Sequence, residues 1–277
     1  MGFNLLIRPW VMSMKWHDLA FLHWPVRPET LAPLLPPGLE LDTFQGSAYL
    51  GLVPFRMSGV RLRGTPALPR LSAFPEMNIR TYVRCGVWSG VWFFSLDATQ
   101  RLAVEVARRA FFLPYFRATM SCHWDQGWCY YANRRVSALG VEEPHFKARY
   151  RPIGEPATAL PGTLAHWLTE RYCLFSYSPR GQLYRGDVMH DPWQLQQCEV
   201  EIDSMDMVSW LNDGGPPSRG AAGGVRDGGS PSRGAGSKIE LSGPPLAHFS
   251  QLQEVQAWAI APALQNDSCL VEMQPTS

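Results

Sequence analysis

The sequence is poor in lysine. Of 25 basic residues among 277, only Lys15, Lys147 and Lys238 carry an amine, and the other 22 are arginine. Chemistry that needs a side-chain amine therefore has three candidates. Charge of neither sign accumulates: the net charge is +1, which argues against a partner held by bulk attraction to nucleic-acid phosphates. No run approaches ~18 apolar residues free of charge, so no membrane-spanning helix is expected. The six cysteines, Cys85, Cys122, Cys129, Cys173, Cys198 and Cys269, include no C-x-x-C pair. A chain of this length does not need disulfide staples, and buried thiols in a reducing compartment are the simplest reading, although Cys122 and Cys129 flank a short turn and can face each other across it. The run MGFNLLIRPW is interrupted by Arg8 and Pro9 and does not read as a signal peptide; Gly2 lacks the Ser or Thr at position 6 that myristoylation requires. A cytoplasmic protein is the expectation.

Several chemical motifs are also missing. There is no G-x-x-x-x-G-K-[ST], no G-x-G-x-x-G opening a helix, no G-x-S-x-G and no H-E-x-x-H. The seven histidines, His17, His23, His123, His145, His166, His190 and His248, are not spaced from one another or from Cys or Asp as metal ligands are. No cofactor and no metal are expected.

What is present is core-forming material. Hydrophobic residues make up 45% of the chain and charged residues 18%, enough for one large domain at ~100–200 residues per domain. Residues 28–34 open with Pro28 and Glu29, as helix N-termini do, and Pro36-Pro37-Gly38 stops them. AYLGLVPFRM (48–57) reads as a strand. NIRTYVRC (78–85) alternates with period 2 and joins VWFFSLD (91–97) in a hairpin through Gly86–Gly90. TQRLAVEVARRAFF (99–112) has an apolar helical stripe, with Thr99 as its candidate cap and Pro114 beyond its end. A further hairpin spans 118–136 around Asp125-Gln126-Gly127. HFKARYRP (145–152) follows as a strand, then a helix at about 163–172 capped by Thr163. A hairpin turns at Arg180-Gly181, and the strands CEVEID (198–203) and VQAWAI (255–260) complete the set. Hairpins dominate, which predicts a large, mainly antiparallel α+β or barrel-like domain with two or three flanking helices rather than a parallel doubly wound sheet.

Residues 213–238 differ. Their only bulky apolar side chain is Val225, and an eight-residue unit at Gly214–Ala221 recurs at Gly228–Ala235. Such a segment cannot bury enough surface to offset its ordering entropy. It is expected to be a flexible insertion within a domain of residues 14–262, with a disordered tail at 263–277. Arginine-glycine segments also touch RNA or anionic surfaces, but only Arg219, Arg226 and Arg233 serve here, with no aromatic between them.

The run WHDLAFLHWPVRPETLAPLLPPGLELDTFQGSAYLGLVPFRMSGV (16–60) resembles the opening of the YqjF-like, or DUF2071, family. So do LPRLSAFPEMNIRTYV (68–83), GVWFFSLDATQRLAVEVAR (90–108) and LPYFRATM (113–120). LPGTLAHWLTERYCLFSY, HDPWQLQQCEVEI and PPLAHFSQLQEVQAWAI extend the resemblance on both sides of the Gly/Arg segment. The family is similar in fold to acetoacetate decarboxylase, which implies a closed β cone with a pocket inside. By the same resemblance Glu76 falls where the decarboxylase keeps a pocket glutamate, and Leu96-Asp97 matches a strand end. Arg108–Arg117 replaces the segment that bears the lysine pair. No lysine lies between Lys15 and Lys147, and arginine, always protonated, is no amine nucleophile. Schiff-base decarboxylation at that position is therefore excluded.

Glu76, Asn78, Arg80 and Tyr82 share one face of an extended segment. A buried glutamate there needs a cation, from Arg80 or Arg117, or takes up a proton. Such a wall either braces the fold or binds a small carboxylate or carbonyl compound, with arginine gripping the anion and Glu76 working as acid or base. His23 is the candidate for proton transfer. Trp24, Arg56, Phe94, Tyr115 and Tyr82 are candidate pocket liners, Phe94 and Tyr115 foremost because they flank the missing lysine's position. Three functions remain open: a small-molecule-binding protein, a lyase, hydratase or isomerase acting on an oxo- or hydroxy-acid, and an interaction protein using the Gly/Arg loop. A homo-oligomer is compatible with each.

Overall fold

The computed structural model of the chain describes residues 8–68, 72–136, 144–213 and 238–263. The expected insertion, apart from its end residues 213 and 238, lies outside the described residues, as does the tail from 264 onward. Thirteen strands and four short helices follow in order: β1 Met12–Val26, α1 Pro28–Leu31, β2 Glu40–Leu41, β3 Ala48–Leu62, β4 Phe74–Cys85, β5 Trp88–Ala98, α2 Arg101–Ala110, β6 Tyr115–Asp125, β7 Trp128–Arg135, β8 His145–Thr158, α3 Leu164–Thr169, β9 Cys173–Tyr177, β10 Leu183–Met189, β11 Gln194–Met205, α4 Met207–Asn212, β12 Leu246–Ala257 and β13 Ala261–Pro262. No helix among the described residues is long and apolar enough to cross a membrane.

All thirteen strands belong to one sheet. Most pairs are antiparallel, as the hairpin pattern requires. The exceptions are β5 with β6 and β5 with β9, which run parallel. Both follow from α2 and the later chain returning to the same edge of β5, which local alternation does not reveal. The pairings β1–β3, β3–β4, β4–β5, β5–β9, β9–β10, β10–β12 and β12–β1 trace a circuit that returns to its starting strand.

Local sequence explains the turns. Gln126 and Gly127 both take positive φ, 46° and 78°, the pair of left-handed residues that a tight β6–β7 hairpin needs. Across that hairpin Cys122 Sγ and Cys129 Sγ lie 3.5 Å apart as free thiols. Thr163 caps α3 by accepting the His166 N–H at 3.4 Å. Thr99 does not cap α2: the N-cap is Gln100, with no side-chain cap hydrogen bond. The final stretch also differs from expectation, because β12 spans 246–257 and ends before Ile260. Strand β1 and helix α4 have no counterpart among the elements read from the sequence. Asp18, inside β1, has φ of 51° and sits at a register shift against β3. That interruption hides the strand's period. Asp18 is held there by Arg56, whose Nε donates to its Oδ2 at 2.7 Å, and by Tyr150 Oη donating to its carbonyl at 2.8 Å.

Two apolar clusters dominate the interior. One gathers Leu22, Trp24, Leu50, Phe94, Tyr131, Phe146, Tyr150 and Phe249. The other gathers Met14, Leu19, Phe21, Val53, Phe55, Phe74, Trp193 and Val255. Burial of each such side chain is worth ~1.5–3 kcal/mol over exposure. Residues of the second surround a space.

Candidate functional site

That space is a cavity of about 620 Å³ walled by β1, β3, β4, β5, β9, β10 and β12, the strands of the circuit. The exposed liners Leu62 and Leu68, each 55% accessible, mark its mouth. Along β4 the lining residues are Phe74, Glu76, Asn78 and Arg80, every second residue. Their partners on β3 run Met57, Phe55, Val53 and Gly51. Glu76 therefore sits nearer the mouth, and Arg80 lies deeper.

Glu76 is 2% exposed and has no arginine partner among the described residues. Instead Tyr115 Oη donates to its Oε2 at 3.0 Å. Burial pushes the Glu76 carboxyl up to about 8; the Tyr115 hydrogen bond opposes this and the nearby Asp97 carboxylate adds to it. At neutral pH Glu76 is thus largely a neutral acid, able to donate as well as accept. Tyr115 is positioned by α2: Arg108, in the last helical turn, donates from Nε to the Tyr115 carbonyl at 2.7 Å. Asp97 behind the site is completely buried. It accepts from Arg135 Nε at 3.0 Å and from Asn133 Nδ2 at 2.7 Å. Tyr131 Oη fixes the Glu76 backbone by donating to its carbonyl at 2.7 Å.

At the deep end Arg80 packs its guanidinium over Phe21, 5.2 Å from the ring centre, and Tyr82, 5.7 Å. It forms no salt bridge among the described residues, and its buried Nε has no hydrogen-bond partner there. Gly51 opposite it leaves little room for a side chain: a Cβ would stand 3.1 Å from His23 Cδ2 and 3.3 Å from Arg80 Cγ. Stacked Trp16 and Trp193, 6.0 Å apart, form a flat aromatic wall, with Phe21 edge-on to Trp193 at 4.9 Å and Phe55 edge-on to Trp16 at 5.7 Å.

Of the site residues expected from sequence, Glu76, Arg80 and Tyr115 are brought together on this cavity. The others are placed elsewhere. His23 is fully buried behind the wall, its Nε2 2.6 Å from Tyr82 Oη. Burial and Arg80 hold it well below the usual imidazole range, so it is neutral and out of reach of a ligand. Tyr82 is occupied by that contact and is likewise fully buried. Trp24 belongs to the first cluster and donates from Nε1 to the Gly243 carbonyl at 3.2 Å. Phe94 belongs to the same cluster, and its neighbour Phe93 lines the cavity instead. Arg56 is committed to Asp18. Arg117 is paired by backbone to β5 and to Val136, outside the cavity wall. Neither Arg80 nor Arg117 pairs with Glu76, which takes up a proton instead. Sequence reasoning did not single out Trp16, Arg171, His190 or Trp193 as liners. Arg171 and Trp193 stand just outside regular elements, where periodicity carries no signal.

The three lysines are elsewhere. Lys15 pairs with Glu254 at 2.6 Å, Lys147 pairs with Asp203 at 3.0 Å, and Lys238 is exposed. None lines this cavity. Among the described residues, no group of three or more His, Cys, Asp or Glu is placed to hold a metal ion.

The profile of DUF2071, described as an uncharacterized conserved protein family, matches residues 13–220. The chain belongs to the DUF2071 family. The uncharacterized protein YqjF of Bacillus subtilis (strain 168) is 45% identical over 193 residues, 70% of this chain and 78% of that protein. Among solved structures, the DUF2071 chain is similar to the enduracididine biosynthesis enzyme MppR with HEPES buffer bound. The TM-score is 0.59 at 11% identity, over 96% of this chain and 92% of MppR. MppR has also been solved with pyruvate, TM-score 0.56 at 12% identity, over 95% and 94%. Acetoacetate decarboxylase from Legionella pneumophila subsp. pneumophila str. Philadelphia 1 matches with a TM-score of 0.57 at 12% identity, over 92% and 87%. At these identities the likeness is one of fold: the DUF2071 domain is a mostly-β, acetoacetate decarboxylase-like domain.

Proposed function

We propose that this protein is a barrel-like container for a small apolar carboxylate or carbonyl compound, acting in the cytoplasm and without Schiff-base chemistry. The observation that carries the reading is Arg80, a guanidinium on the wall of a largely apolar cavity, and it forms no salt bridge among the described residues. A cation in such surroundings is matched by an anion that brings its own apolar body, because the pair forms where water screens poorly. The circuit of strands supports the container, and MppR, which shares the fold, has been solved with pyruvate. No lysine reaches the cavity, so a bound ketone forms no imine there. The test is thermal stabilisation by a panel of apolar carboxylates with their amides as controls. Carboxylates are expected to raise Tm in the wild type and not in Arg80→Gln. A panel that leaves Tm unmoved at millimolar concentration refutes the reading.

One observation favours a second reading, in which the container is a lyase, hydratase or isomerase. Glu76, held near 8 and hydrogen-bonded to Tyr115, is suited to exchange a proton with a bound carbonyl compound at neutral pH. Turnover lost in Glu76→Gln with binding retained distinguishes the enzyme from the carrier.

A further inference from the structure

The deep end of the cavity holds a second arginine. Arg171 follows α3 and is 9% exposed. Its Nε donates to the Trp167 carbonyl at 2.7 Å and its Nη1 to Asp42 Oδ2 at 2.8 Å. Its Nη2 is buried with no hydrogen-bond partner among the described residues, the same condition as Arg80 Nε. Both guanidinium groups pack against the Tyr82 ring, at 5.0 Å for Arg171 and 5.7 Å for Arg80, and both line the cavity. Asp42 offsets one charge, so the pair retains one net positive charge and two unused N–H donors. A buried donor left unpaired is costly, and both residues line the same cavity, so an anion at that end meets two guanidinium groups.

The other polar point, Glu76 with Tyr115, lies four residues along β4. Four residues of extended chain span at most ~13 Å, and side chains on one face keep about that separation. Allowing ~3.5–4 Å of contact at each end leaves roughly 5–6 Å within the ligand, about four or five carbon–carbon bonds. Consistent with that distance, the groups that shift Glu76 are burial, Tyr115 and Asp97, with no arginine among them. Between the ends stand Asn78, whose buried Oδ1 has no hydrogen-bond partner among the described residues, and the apolar surfaces of Val53, Phe21, Trp16 and Trp193.

Resting on the carboxylate-binding reading above, we propose that the cavity seats an oxo-acid head-first, its carboxylate at the end lined by the Arg80 and Arg171 guanidinium groups and its carbonyl oxygen at Glu76, four or five carbon–carbon bonds away. Acids whose carbonyl adjoins the carboxylate reach only one end. Trp16 stands edge-on to Phe55, the β3 partner of Glu76, and its buried Nε1 is likewise unpartnered among the described residues.

The experiment is calorimetric titration of the full-length protein with isomeric probes: 2-oxohexanoate, 4-oxohexanoate and 5-oxohexanoate, with 6-oxoheptanoate and 5-oxohexanamide. Affinity is expected to rise about tenfold or more from the 2-oxo to the 5-oxo isomer, as the second hydrogen-bonded end is engaged. Arg171→Lys keeps a cation for Asp42 but loses the free N–H; it should weaken 5-oxohexanoate about tenfold and leave the amide unchanged. Equal affinity across the isomers, or a preference for the 2-oxo acid, overturns the proposal while leaving carboxylate binding intact. An Arg171→Lys variant that binds 5-oxohexanoate as the wild type does also overturns it. If no acid binds, the underlying reading falls with it. Should Arg171→Lys fail to fold, the isomer series in the wild type decides alone.

Discussion

Glu76→Gln should change how stability depends on pH more than it changes the structure. Glutamine matches glutamic acid in shape, and its amide oxygen can still accept from Tyr115 Oη, now 3.0 Å from Glu76 Oε2. In the unfolded wild type the carboxyl releases its proton near 4.5, and in the folded protein near 8. Between these values the folded state binds the extra proton, so wild-type stability falls as pH rises through the window and levels off above 8. At ~1.4 kcal/mol per pH unit, the gap between 4.5 and about 8 corresponds to a ceiling of roughly 5 kcal/mol. Water entering the cavity beside an ionised Glu76 reduces that ceiling, and a difference of ~2 kcal/mol or more is expected. Urea unfolding of both proteins at intervals from pH 5 to pH 9 measures it. The two curves should meet near pH 5 and separate steadily to pH 8, with the glutamine variant the more stable. Parallel curves over that range would show that Glu76 is ionised in the folded protein at neutral pH, and the neutral-acid account of the site would be wrong.

Other expectations follow from the same geometry. Tyr115→Phe removes the hydrogen bond that favours ionised Glu76, so the carboxyl should titrate above its wild-type midpoint; infrared difference spectra of the carboxyl C=O stretch report it, and a lower midpoint contradicts the assignment. Asp97→Asn strands Arg135, 2% exposed in its side chain. Breaking such a buried pair costs ~3–5 kcal/mol, readable as a lower urea midpoint, and should also lower the Glu76 midpoint, since Asp97 helps to raise it. Gly51→Ala places a methyl against His23 and Arg80. A cost of ~1–2 kcal/mol is expected, together with weaker carboxylate binding, whereas unchanged affinity would remove Gly51 from any role in seating Arg80. Borohydride treatment with ketones should leave no reduced adduct by mass spectrometry; an adduct on any lysine would overturn the exclusion of imine chemistry.

The cavity's β4 wall was legible in sequence because period 2 is strict there: Glu76, Asn78 and Arg80 share a face whatever the rest of the chain does. The sign of that face was legible too, since a glutamate and an arginine beside apolar neighbours point to a polar lining. The hairpins announced themselves through their turn residues. The far wall was hidden for two physical reasons. In β1 the left-handed Asp18 breaks the alternation, so Trp16 and Phe21 could not be assigned a common face. Arg171 and Trp193 arrive from positions more than ninety residues away, through chain outside regular structure, where only tertiary packing decides direction. The choice of Phe94 over Phe93 failed at a single step of parity: a bulge between Ile79 and Arg80 shifts the β4–β5 register, and which face met the cavity was not fixed by the strand alone. His23 was selected for its motif. Its Nε2 meets Tyr82 from another strand and its Nδ1 has no partner among the described residues, and the ring is buried in the core rather than on the cavity.

The account rests on Arg80 as the seat of an anion in an apolar cavity. The most direct test is a crystal structure of the protein soaked with 5-oxohexanoate. It should show the ligand inside the circuit of strands, its carboxylate within hydrogen-bonding distance of Arg80 and its body against Trp16 and Trp193. A cavity empty of ligand at saturating concentration, or a carboxylate turned toward the mouth with Arg80 untouched, would contradict it.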